Sequence, residues 1–302
     1  MDLFVNLFMS GLTKGSIYAL IALGYTMVYG IIALINFAHG EIYMIGAFTA
    51  LIFSMLLGAP PISLTGWSLV LAVAGAAALY AAMYGWTVEK IAYSPLRSAS
   101  RLAPLISAIG MSIFLQNYVQ LVQTTTFLVF PDLVPQISLP GFLAGVINRT
   151  HLIILVFTAA SMTALTLYIK FTRMGMAMRA VAQDPVMARL SGVNLDRVIS
   201  TTFVIGSVLA ALGGLLIGCS MRQIDFYIGF LAGMKAFTAA VLGGIGSIPG
   251  AVLGAMILGF AESFAAGYIS SSYKDMVAFI ILIVILTFRP GGIMGVTQTQ
   301  KV

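Results

Sequence analysis
Hydrophobic positions in this chain come in long blocks separated by short polar stretches. A helix rises 1.5 Å per residue, so about 20 apolar residues cross the hydrocarbon layer of a bilayer. On that rule, spans are expected near 11–34, 41–58, 67–88, 104–123, 151–170, 198–219, 250–269 and 275–289. A ninth apolar piece, 232–243, is too short to span comfortably and reads as a short or re-entrant helix. Such a segment is tolerated only where protein or a cavity surrounds its free backbone groups. The pattern predicts an all-α integral membrane protein of about 8–9 transmembrane or re-entrant helices. Residues 1–302 form a single transmembrane domain on this reading.

Two polar or glycine-rich breaks interrupt the blocks. One is Asn36-Phe37-Ala38-His39-Gly40-Glu41, placed between two apolar runs with almost no loop. The other is Gly243-Gly244-Ile245-Gly246-Ser247-Ile248-Pro249-Gly250, incompatible with a straight helix interior. Each precedes a run that opens with small residues, Gly46-Ala47 and Gly250-Ala251. Two discontinuous segments in corresponding positions suggest an internal duplication and point to a transport path. Asn36, His39, Gly40, Glu41, Gly243, Gly244 and Gly246 are therefore the candidate path residues. Glycines four apart (Gly11 and Gly15, Gly214 and Gly218, Gly229 and Gly233, Gly246, Gly250 and Gly254) predict close helix packing.

Composition agrees with lipid as the solvent. Of 302 residues, 60% are hydrophobic and 8% charged, against about 25% charged in a soluble domain. The net charge of +6 carries no nucleic-acid argument here; the placement of Lys and Arg sets orientation. Lys90, Arg97 and Arg101 mark one cytoplasmic connection; Lys170, Arg173, Arg179, Arg189 and Arg197 mark another. Two spans separate them, so 124–150, with Asp132, Arg149, Pro131, Pro135 and Pro140, is external. Arg289 and Lys301 place the C-terminus inside, provided 232–243 counts as a crossing; the N-terminus is then external. Met1-Asp2-Leu3-Phe4 lacks the basic stretch of a signal peptide, so the first apolar run is expected to be the first membrane helix. The single cysteine, Cys219, lies in an apolar run and reads as a core residue. Neither it nor His39 and His151 has metal-ligand spacing, and no nucleophile–base constellation supports a membrane enzyme.

The connection 170–197 is internally organised. Asp184-Pro185 starts a helix, since Asp caps free N–H groups and Pro suits the first helical position. Val186, Met187 and Leu190 share one face, Gly192 ends the turn in a left-handed conformation, and Asn194 or Asp196 caps the next span. The result is a short amphipathic helix whose apolar side needs a partner, with Arg179, Arg189 and Arg197 around it. No Gly-x-x-x-x-Gly-Lys-Ser/Thr occurs, so energy from ATP must come from another protein. Among the remaining polar groups, Glu41 either caps the helix it opens or lines the path with His39. Gln116 and Asn117 are expected to hydrogen-bond between helices, and Glu262 to reach the interface or a partner helix. Trp67, Trp86 and Tyr84 fall near span ends, where aromatic belts lie.

The pattern Ala180-x-Ala182-x-Asp184-x-x-x-Ala188-x-x-x-Gly192 resembles the coupling motif of ABC importer permeases. Gly24-Tyr25-Thr26-Met27-Val28-Tyr29-Gly30-Ile31-Ile32, Ile35-Asn36-Phe37-Ala38-His39-Gly40-Glu41 and the stretch from Gly233 to Gly250 are more specific. Together they resemble the LivH-type permeases of branched-chain amino acid ABC transporters, over about residues 5 to 296. The resemblance implies one half of a transmembrane heterodimer in a bacterial inner membrane, beside a LivM-type second permease. It implies two ABC ATPase subunits holding ATP and Mg below, and a periplasmic amino-acid-binding protein delivering Leu, Ile or Val from above. It also implies that Arg179, Ala180, Ala182, Asp184, Val186, Met187, Ala188, Leu190 and Gly192 couple to the ATPase. Related permeases carry urea, short amides or other amino acids. An ion-coupled secondary transporter, with His39, Glu41 and Glu262 as ion groups, is the alternative from another class.

Overall fold
The computed structural model describes residues 2–97, 99–100, 102–135, 148–289 and 291–295. Arg101, Pro140 and Lys301, used above for orientation or composition, lie outside the described residues. Long helices form where the apolar blocks predict them: α1 Asp2–Ile32, α2 His39–Gly58, α3 Gly66–Val88, α4 Leu102–Val122 and α5 Arg149–Phe171. Two short helices follow, α6 Arg173–Gln183 and α7 Pro185–Leu190. The chain continues with α8 Leu195–Met221, α9 Ile228–Gly243, α10 Ile248–Tyr268 and α11 Lys274–Phe288. Eight helical segments are long and apolar enough to cross a membrane, and α9 is a shorter apolar helix. In their most apolar windows α1, α2 and α8 are 72–78% buried within the chain, and α3, α4, α5 and α11 at most 28%. The first three are therefore the inner layer and the others the periphery.

Small residues explain the tightness of the inner layer. A Cβ on Gly11 would lie 2.7 Å from the Phe260 ring, and one on Gly15 would lie 3.0 Å from Met256 Cα, so α1 and α10 run nearly in backbone contact. Peripheral helices keep large apolar side chains outward, such as Leu79, Leu121 and Ile283. Those faces suit lipid or a second membrane subunit.

The first break lies over 33–38, slightly ahead of the sequence expectation, and His39, Gly40 and Glu41 already belong to the first turn of α2. Ala33 takes a left-handed φ of 51°, which reverses the chain. Asn36 then holds the return: its Oδ1 accepts from the Ala38 N–H (3.1 Å) and from the Tyr93 hydroxyl (3.0 Å). Residue 39 packs against Gly24 and Gly206. Gly24 lies roughly 12 Å before the end of α1, at 1.5 Å per residue, so α2 begins alongside α1 and not beyond its end.

The second break is a tight turn between α9 and α10 over 244–247. Gly244 (φ 107°) and Gly246 (φ 92°) make the reversal, and Ser247 Oγ accepts from the Gly250 N–H at 3.2 Å to cap α10. The N–H groups of Ile293 and Met294 donate to the carbonyls of Leu242 and Gly243, both at 2.9 Å, closing the end of α9. The first turn of α9, at Gly229, lies against Gly40 and Glu41 in the first turn of α2.

Contacts between connections gather them into two clusters. β1 Leu128–Val129 pairs antiparallel with β2 Gln223–Ile224, and Asp132 receives both Arg149 (2.7 Å) and Arg222 (2.8 Å). These segments form the first cluster. In the second, Arg97 bridges Glu89 and Asp196, and Ser200 donates to Glu89 at 2.8 Å. Gln223 and Ile224 ahead of α9 join the first cluster, and Gly246 after it lies beside Met178 and Arg179 of α6.

Candidate functional site
The first candidate is α7 with its flanks, in the connection whose Lys and Arg content predicts a cytoplasmic location. Thr172 Oγ1 accepts from the Gly175 N–H (2.9 Å) and starts α6, whose Met178 and Val181 are buried against the membrane helices. Asp184 Oδ1 accepts from the N–H groups of Val186 (2.8 Å) and Met187 (2.9 Å), with Pro185 at the first helical position. Gly192 has φ 84°, and the Val193 N–H closes onto the Ala188 carbonyl at 3.0 Å, the left-handed stop that the sequence predicts. Asn194 caps α8 by accepting from the Arg197 N–H at 3.1 Å.

Local geometry sorts the predicted coupling residues. Val186, Met187 and Leu190 are 66%, 61% and 77% exposed, an apolar face with nothing over it among the described residues. Ala188 is buried and turns toward the body of the protein, away from the exposed face of α7. Arg179 donates to the Ile169 carbonyl and pins α6 to the end of α5. Arg179 and Ala182 line a small cavity of about 120 Å³ with Thr26, Gly30 and Gly246, and Ala180 is half-buried against the core. Sequence reading missed Glu89. It is fully buried and binds Lys90 (3.2 Å), Arg97 and Ser200, so the two basic connections are joined through a carboxylate. The signal was available as an acid placed directly beside positive-inside lysine and arginine.

The structure divides the candidate path residues among several places. Asn36 stabilises the break, as described. His39 is buried edge-on to Tyr25, with ring centroids 4.8 Å apart, and packs on Gly24 and Gly206; it does not meet Glu41. Gly40 provides close approach: a Cβ there would lie 2.5 Å from the Gly229 carbonyl oxygen and 2.9 Å from Gly233 Cα. Gly243 and Gly244 form the α9–α10 turn, and Gly246 faces the small cavity beside Arg179. Glu41 does not cap α2, whose N-cap Ala38 offers no side-chain bond. Its Oε1 accepts from Ser112 Oγ of α4 at 3.1 Å, while Oε2 has no partner. Glu41 lines a cavity of about 320 Å³ between α2, α4 and α9, and Gln116 lines it too, its Nε2 unpartnered. Asn117 turns back to its own helix, donating to the Ile113 carbonyl at 2.8 Å. The expected interhelical bonds of Gln116 and Asn117 are therefore not made within the chain.

Glu262 lies at a separate site and is fully paired. Oε2 accepts from Tyr18 (2.8 Å) and faces Lys235 (3.1 Å), and Oε1 faces Lys14 at 3.4 Å. Lys235 also reaches Asp275 at 2.6 Å. No single segment carries this network, and Lys235 falls in the short apolar run where only hydrophobicity was read.

A family model described as "Branched-chain amino acid transport system / permease component" matches residues 7–286. The chain is 50% identical to the high-affinity branched-chain amino acid transport system permease protein LivH of Escherichia coli, over 99% of this chain and 98% of that one. It is 50% identical to the corresponding permease protein BraD of Pseudomonas aeruginosa, over 97% and 96%. To the probable permease LivH of Methanocaldococcus jannaschii it is 28% identical, over 93% and 89%. No solved structure matches the chain. Apolar helices and relatives together make this a multi-pass protein of the inner membrane and a transport component rather than an enzyme. The chain belongs to the branched-chain amino acid transport system permease family.

Proposed function
We propose that this chain is half of the membrane pathway through which an ATP-driven importer carries leucine, isoleucine and valine into the cell. A LivM-type second permease packs against its lipid-side faces. Two ATPase subunits, which hold ATP and Mg, take the apolar face of α7 into a groove. A periplasmic binding protein delivers the amino acid to the external face. The observation that carries the reading is α7: capped by Asp184, stopped by Gly192, and presenting Val186, Met187 and Leu190 uncovered. Leaving such a face in water forgoes about 1.5–3 kcal/mol per fully buried side chain, a reason for a partner to cover it.

The test is reconstitution. In liposomes, this chain alone should give no ATP-driven leucine uptake. Adding the second permease, the ATPases and the binding protein should give uptake that survives a protonophore and stops with a non-hydrolysable ATP analogue. Robust uptake by the chain alone, driven by a proton or sodium gradient, would overturn the reading in favour of a secondary transporter.

A further inference from the structure
Three buried glutamates invite comparison. Glu89 and Glu262 are saturated by lysines, arginine or hydroxyls of this chain. Glu41 is as buried as either, at 1% exposure, yet only Oε1 is bonded. Native structures leave few buried polar atoms unpaired, because each costs about 1–3 kcal/mol or more when charged. The unpaired oxygen lies beside Gly229 of α9, and the Glu41 side chain forms part of a cavity wall there. That cavity contains a second unpaired group, the Gln116 amide nitrogen. Ser112, which holds Glu41, and Gln116 are four apart on α4 and share a face, roughly one 5.4 Å turn from each other. The other walls include Phe37, Ile109, Ile113, Phe230 and Met234.

We propose that this cavity is a transit site for an aliphatic amino acid as its zwitterion, with Glu41 taking the α-ammonium and Gln116 the α-carboxylate. The inference rests on the transport reading above and assigns the residues that hold the cargo. Glu41 Oε2 accepts hydrogen bonds from the ammonium, offsetting the desolvation of both charges. The Gln116 amide donates to the carboxylate. The branched side chain lies against the apolar walls, which reward methyl groups and offer a second charge no partner. At about 320 Å³ the cavity falls at the lower end of the range for small-molecule sites, roughly 300–1,000 Å³. It opens where α4 and α9 expose Ile113 and Phe230, the side on which the second permease would close it. The first turns of α2 and α9 cross beside it at Gly40 and Gly229. Movement of either helix would therefore reshape the site. One competing role for Glu41 is to balance the positive end of α9, whose Gly229 it touches.

The experiment uses the reconstituted complex with leucine-loaded binding protein, and counts leucine imported per ATP hydrolysed. Glu41→Gln keeps shape and removes charge; it should lower the ratio at least ten-fold, with Glu41→Asp retaining more than Glu41→Gln. A helix-balancing role instead lowers the thermal stability of the complex and leaves the ratio at the wild-type value. A wild-type ratio in Glu41→Gln overturns the site whatever its stability. If Glu41→Gln does not assemble, Gln116→Leu decides: a several-fold fall in the ratio supports the site, and an unchanged ratio overturns it. Failure of the wild-type complex to import leucine would strike the transport reading itself. Normal wild-type import with normal variants would strike only this site.

Discussion
The short helix α7 and the buried crossing of α2 with α9 differ in where their geometry originates. In α7 every determinant is local: Asp184 reaches Val186 and Met187, and Gly192 closes onto Arg189. At the crossing the determinants are far apart in sequence: Gly40 meets Gly229 and Gly233, and Glu41 meets Ser112. Local geometry survives substitution elsewhere and is read one segment at a time. A crossing made of backbone contact has no slack, so it should be the more fragile region and α7 the more separable one.

Gly40→Leu should break the crossing outright. Its Cβ already falls 2.5 Å from a backbone carbonyl that cannot rotate away, so the complex should not assemble and uptake should be lost. Ile52→Leu, on the same helix but 41% exposed, should remain close to wild type in yield and uptake. Similar, normal uptake in both would remove the close crossing. Glu262→Gln should follow in size, because it leaves Lys14 and Lys235 without their shared carboxylate. A loss of about 3 kcal/mol, read as a lower Tm in detergent, is expected. A smaller effect is expected on the other side of the comparison. Gly192→Val has open space around its Cβ but the wrong φ, at a cost of about 1–2 kcal/mol. ATPase retention should weaken roughly ten-fold while the membrane helices keep their Tm. Smallest of all, Arg222→Ala should shift stability by less than about 1 kcal/mol. Its pair with Asp132 is exposed, and Arg149 holds the same carboxylate.

Much of the fold was legible because lipid imposes a length rule: eight spans and the short α9 follow from apolar run lengths. The caps of α7 and α8 were legible because Asp184, Pro185, Gly192 and Asn194 act within four residues of themselves. The pairings of Glu41 with Ser112, Glu89 with Ser200, and Glu262 with Lys14 and Lys235 were not, since each joins helices distant in the chain. Ala188 follows Met187 directly and faces inward, so the face read from the sequence is confined to Val186, Met187 and Leu190.

Leu190→Asp addresses the coupling role of α7 most directly. Leu190 is 77% exposed, so the change leaves this chain's own packing and membrane insertion intact. In a groove of the ATPase the new carboxylate would be buried without a partner, at about 3 kcal/mol or more. The measurement is the amount of ATPase subunit co-purifying with the permease pair, alongside ATP-driven leucine uptake in vesicles. The expected result is normal permease yield, loss of the ATPase subunits by about a hundred-fold in affinity, and no uptake. A full complement of ATPase subunits together with wild-type uptake would contradict the account, and would leave α7 a charged loop with the coupling contact elsewhere.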